Sequence, residues 1–171
     1  MKFTEARNAI VERLESHIGA PVVLSEQSAD MPEFPYCYYS VLASRISSHA
    51  FGLNETGEAS RSRSEEVDAT VSFTFCSKNR ETEDGYVFGE DEAMVLCDKA
   101  HGFFLLDAHN IGLASGEIVM REVGSVANRS GFFIDDPIRR FGFDIRFAYV
   151  RTDEMEALPV KEAGNILGGR R

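Results

Sequence analysis

The chain has 171 residues, of which 43% are hydrophobic and 27% charged, with a formal net charge of −10. That length suits one domain with a core that needs no staples. The acidity opposes non-specific phosphate binding, whose electrostatic driving term is repulsive here, and no apolar run approaches the roughly 18 residues a membrane helix needs.

Phe3, Ala6, Ile10, Leu14 and Ile18 recur at steps of three and four, which is one face of a helix. Gly19 supplies its C-terminal stop and Pro21 bars continuation. The opening carries Glu5 and Glu12 and lacks an apolar centre, so it does not read as a signal peptide. A short strand, PVVLS, follows. In MPEFPYCYYSVLAS, Pro32 and Pro35 forbid a helix, and from Tyr36 the aromatic and β-branched content reads as a strand. Tyr36, Tyr38, Ser40 and Leu42 take one face and Cys37, Tyr39, Val41 and Ala43 the other. A strand partly covered on both faces accounts for this run; a base-stacking platform would also need a basic groove.

Residues 47–67 are polar, glycine-punctuated and without period, and are expected to form a long structureless loop. DATVSFTFC then alternates Ala69, Val71, Phe73 and Phe75 with Thr70, Ser72 and Thr74, a strand with one core face. The acidic run through Glu81, Glu83, Asp84, Glu90, Asp91 and Glu92 reads as a solvated loop leading into a helix. That helix places Met94, Cys97, His101 and Phe104 beside Ala93, Leu96, Ala100 and Phe103, a wide stripe for packing on a sheet. EIVMREVGSVANR reads as a strand, and DDP as a turn. Phe141, Phe143, Ile145, Phe147 and Tyr149 alternate with Arg140, Asp144 and Arg146 in a last half-buried strand. The order predicts an α+β fold: a mainly antiparallel sheet with two packed helices and a long loop between the second and third strands. Residues 1–151 form the domain, and 152–171, which lose all period, a flexible C-terminal tail.

The chemistry-bearing patterns are sparse. Cys37, Cys76 and Cys97 are odd in number and lack CxxC spacing, so reduced thiols are expected. Cys97 and His101 lie four apart on one helical face, but two ligands are too few for a metal. Asp135-Asp136 before a proline is commonplace in turns. His17, His49 and His109 stand alone, and no GxSxG, HExxH, GxGxxG or phosphate-loop pattern occurs. Arg140, Asp144 and Arg146 on the polar face of the last strand either pair across strands or meet a partner.

Taken in order, FTEARNAIVERL, PEFPYCYYSV, VSFTF, EIVMREVGSVANRS and RRFGFDIRF resemble the neck or tail-terminator proteins of tailed bacteriophages, the phage neck terminator domain. The resemblance spans about residues 3–150; the acidic insert 79–92 and the tail after 151 fall outside it. It implies a non-catalytic structural protein of the virion neck, without cofactor or metal, present in the host cytoplasm during assembly. It further implies a hexameric ring that caps the tail tube, meets any sheath protein and the head-side connector or stopper, and lets DNA pass without specific binding. The 47–67 loop is the expected contact surface, with Phe51 and Leu53 as apolar anchors and Arg61 and Arg63 as charges, joined by Arg140 and Arg146. The loop of one subunit would meet the sheet or second helix of the next. The rival readings are a head-completion or stopper protein of the same neck, a cytosolic small-ligand binding module, and an enzyme with a dispersed site.

Overall fold

The computed structural model describes residues 1–26, 30–47, 52–56, 60–106, 118–131 and 137–156. Its elements run α1 (Phe3–Ile18), β1 (Val22–Leu24), β2 (Tyr36–Ser47), β3 (Leu53–Thr56), β4 (Ser60–Lys78), β5 (Arg80–Thr82), β6 (Gly85–Val87), α2 (Gly89–Leu106), β7 (Ile118–Val123), β8 (Ala127–Asn128) and β9 (Ile138–Glu156). The main sheet has the order β1-β2-β4-β9-β7, with β3 added to β4 and β8 to β9; β5 and β6 form a separate hairpin. Among the described strands of this sheet only β1 and β2 pair in parallel. Two helices on a mainly antiparallel sheet make an α+β fold, as the residue pattern predicts.

The core follows directly from the two periodicities. Ala6, Ile10, Leu14 and Ile18 of α1 are buried, and so are Ala93, Leu96, Cys97, Ala100, Phe103 and Phe104 of α2. They pack on alternate residues of the two central strands: Val67, Ala69, Val71, Phe73 and Phe75 of β4, and Phe143, Ile145, Phe147 and Tyr149 of β9. Phe104 joins the layers, its ring 5.5 Å from that of Phe73 and 5.8 Å from that of Phe143. Burying each such side chain is worth about 1.5–3 kcal/mol. Gly19 ends α1 in the left-handed region at φ 73°, and its N–H closes the last turn onto Glu15 O at 2.9 Å. On β2, Cys37 and Tyr39 join this core while Tyr38 lies half-buried on the far face, so the Pro-aromatic run is a strand covered from both sides.

Three segments differ from their sequence-based expectation. Where 47–67 was to be a loop, β2 extends to Ser47, β3 is a strand, and β4 begins at Ser60. The acidic insert is also ordered, as the β5–β6 hairpin. The last strand does not stop at residue 151: Thr152–Glu156 of β9 pair with Ser64–Ser60 of β4. β4 and β9 thus form one antiparallel ladder without a register shift from Ser60↔Glu156 to Lys78↔Ile138.

Candidate assembly interface

The β4–β9 ladder outruns the helices that cover it. Core-facing positions of β4 are apolar from Phe75 down to Val67, and the same face then continues as Glu65, Arg63 and Arg61. This outer part, with β3 added to it, is an arm of three strands: Leu53–Thr56, Ser60–Glu66 and Val150–Glu156. At roughly 3.3 Å per residue its seven β4 residues reach about 23 Å. Residues opposite one another across an antiparallel pair share a face. Arg61 therefore lies with Thr56 and Met155, and Arg63 with Asn54 and Asp153, on the helix side. Leu53, Ser62, Ser64, Glu55 and Glu154 share the opposite side. Glu65 accepts from Arg45 and from Arg63, the latter at 2.9 Å, and Arg151 donates to Asp153. Among the described residues Arg61 has no ion-pair partner.

At the other end of β4, the β5–β6 hairpin is clamped to the start of α2. Gly89 presses so closely on the strand end that a Cβ there would stand 2.5 Å from the Lys78 carbonyl carbon. Asn79 Oδ1 accepts the Gly89 N–H at 2.8 Å. Arg80 grips Glu92 with both terminal nitrogens, at 2.7 and 2.8 Å, and the Ser77 hydroxyl donates to the same carboxylate. The Arg80 hydrogen bonds, outweighing burial, hold the Glu92 carboxyl below its ordinary 4.5. The clamp fixes Tyr86 and Phe88, half or more exposed, with their rings edge to face at 5.0 Å.

α2 carries apolar residues on its outer side as well as its buried one. Opposite its buried stripe run Val95, 63% exposed, Leu105, 57%, and Leu106, 78%, interleaved with the acids Asp91 and Asp98. Gly102 on this side has nothing within 4 Å of where a Cβ would stand. Exposed apolar residues grouped on the side of a helix away from its core mark a contact surface.

The sheet face away from the helices is laced by ion pairs. Arg146 donates to Asp68 through Nε and Nη2 at 2.9 and 2.6 Å, and Arg121 joins Asp68 to Glu66. Arg129 lies flat over Gly142 and donates to Ser72 Oγ, Phe73 O, Thr74 Oγ1 and Asp144 Oδ1 at 2.6–3.2 Å. Burial works against the Asp144 carboxylate, but hydrogen bonds to Ser72 and Arg129 bring it below its usual range. Beside β1 a cleft of about 470 Å³ is lined by Tyr36, Tyr38, Ser40, Met31, Pro32 and Arg140. Tyr36 is pushed up to about 12, first by burial, and hydrogen-bonds Met31 Sδ at 3.3 Å, so its hydroxyl works as an anchor for the entry segment.

The residues nominated from sequence do not form one patch. Phe51 lies outside the described residues, as do His49, His109, Asp135 and Asp136. Leu53 is 75% exposed on one face of the arm while Arg61 and Arg63 sit on the other. Arg140 lines the cleft, and Arg146 makes its pair across strands, about 20 Å further along β9 at roughly 3.3 Å per residue. Cys97 is fully buried, its thiol pushed up to about 12, first by burial. His101 is tied by Nε2 to Gly124 O at 3.0 Å. Among the described residues no group of three or more His, Cys, Asp or Glu is placed to hold a metal. Sequence reasoning passed over Val95, Leu105 and Leu106, which merge into one apolar run with the buried stripe. It also passed over Arg129, which no periodicity marks.

No curated protein sequence matches the chain. The sequence model of one family, described as phage neck terminator protein, matches residues 8–169. The match takes in both the acidic insert and the segment after 151, which the residue-by-residue resemblance left out.

Proposed function

The chain belongs to the phage neck terminator family, and from that premise we propose that it closes a homohexameric ring on the head-proximal end of the tail tube. There it joins the tail to the head-side connector or stopper, touches the sheath where one is present, and lets DNA pass without specific binding. It does so without catalysis. Family membership carries this reading and places the protein in the neck or tail of the virion; the surface supports the finer part. A ring subunit needs two unlike patches for its neighbours, and among the described residues the arm and the outer face of α2 are both left without a covering element. Leu53, Arg61 and Arg63 on the arm, with Phe51, are the proposed subunit contacts, and Arg140 and Arg146 face an axial neighbour. Net acidity keeps the passing duplex from sticking.

The test is a phage lacking this gene. Filled heads and separate tails, some of abnormal length, are the expected products by electron microscopy. Normal joined virions would overturn the proposal.

A further inference from the structure

Among the described residues two surfaces carry no covering element, and they are complementary. One is sheet without helix. Beyond the N-terminus of α1 the helix side of the arm carries Arg61, Arg63, Thr56 and Met155, the last 66% exposed, beside Asn54 and the acids Glu65 and Asp153, which are engaged by Arg45 and Arg63 and by Arg151 respectively. The other is helix without sheet: the outer side of α2, where Val95, Leu105 and Leu106 alternate with Asp91 and Asp98. Arg61 on the first surface, and Asp91 and Asp98 on the second, have no ion-pair partner among the described residues.

The two surfaces cannot meet within one chain. α2 starts against Lys78 and its end packs on Phe73, whereas the arm begins at Glu66. From Ser62 to Phe73 the strand covers about 36 Å at roughly 3.3 Å per residue. Resting on the proposal that copies form a ring, we infer that the helix side of one copy's arm packs on the outer side of α2 of the next. Arg61 and Arg63 face Asp91 and Asp98, and Met155 lies against Val95 and Leu106. The open flank at Gly102 lets the arm backbone approach the helix closely. The contact continues the native layering: the neighbour's helix covers the stretch of sheet that α1 and α2 leave bare. Because the patches differ, the contact is heterologous, and repeating it gives a ring or a filament rather than a two-fold dimer. Opposite charges at its centre fix the register, and a helix-on-helix pairing is rejected because it would set Asp91 and Asp98 against their own copies.

The experiment uses the full-length protein, purified and in tails assembled during infection. R61E/R63E is expected to abolish oligomers in native mass spectrometry while circular dichroism is unchanged; D91R/D98R is expected to do the same, and combining all four substitutions to restore them. The double variant Met155→Cys/Val95→Cys should give a ladder of disulfide-linked oligomers on oxidation, whereas each single variant should give none. The native cysteines do not interfere, since Cys37, Cys76 and Cys97 are fully buried. Rings that persist in R61E/R63E, a four-fold variant that stays monomeric, or crosslinked dimers from one single-cysteine variant would overturn this contact and leave the ring itself standing. Wild-type protein that forms no ring even on tails would overturn both.

Discussion

Arg129 and Gly142 depend on each other. The guanidinium lies where a side chain at 142 would stand: a Cβ there would come within 2.9 Å of the Arg129 Cζ and 2.3 Å of the Phe73 carbonyl oxygen. Gly142→Ala should therefore lose about 1–3 kcal/mol in urea unfolding, the usual cost of overpacking. Removing Arg129 in the same chain should not restore the loss, because the backbone oxygen remains in the way. An equal stability for Gly142→Ala and wild type would show that the strands can part there at no cost. The thiols make a second test at this scale. Burial pushes Cys37 well above the ordinary thiol value and Cys97 up to about 12, so neither forms thiolate in the native state at neutral pH. A thiol reagent should find three reactive groups in denatured protein and none in native protein. A group reacting quickly without denaturant would contradict the burial. Neither the Arg129 cradle nor the need for glycine beneath it was readable from ANRS and FGFD, because both arise from strands distant in sequence.

The clamp between Arg80 and Glu92 ties the β5–β6 hairpin to α2, and its pH dependence has a definite sign. Glu92 is depressed in the folded state, so its contribution is present above the unfolded value near 4.5 and is lost as pH falls through the folded one. Acidification below about pH 4.5 should loosen the hairpin, seen as lower amide protection factors (rates relative to the intrinsic rate at each pH) over residues 80–92, while the central β4–β9 amides stay protected. Glu92→Gln should remove most of that acid sensitivity by starting from the loosened state at neutral pH. An unchanged acid limb in the variant would assign the sensitivity to another carboxylate. The helices and the central strands were legible in the sequence for one reason: each buries a single face, and burial writes its period into the residues. The arm was not. SRSRSEE does alternate, serine on one face and arginine on the other, but both are polar, so a hydrophobic pattern cannot register it. The outer side of α2 failed the opposite way, since apolar residues on both sides blur into one wide stripe and hide the second surface.

For the whole molecule, the family reading required residues in order across the chain, and no single site could have supplied it. The sequence-based contact surface treats 47–67 as a loop with one set of anchors, whereas the strands divide Leu53 from Arg61 and Arg63 onto opposite faces. Leu53→Asp places a charge on an exposed strand position and should change stability by no more than about 0.5 kcal/mol. If Leu53 meets a neighbour, as proposed, the variant should fail to complement a phage lacking the gene, with folded protein in the lysate. Full complementation would remove Leu53 from the interface and leave the helix-side residues to carry it. The β4–β9 ladder has a mechanical consequence as well. Its hydrogen bonds run across the strands from Ser60↔Glu156 to Lys78↔Ile138, so a pull along the strand axis, one strand held at each end, loads all of them in shear at once. The same ladder pulled open from one end yields one rung at a time. In the proposed ring, a subunit held through β9 at the arm and through β4 at the opposite end would carry tension across every rung together, like a riveted lap joint.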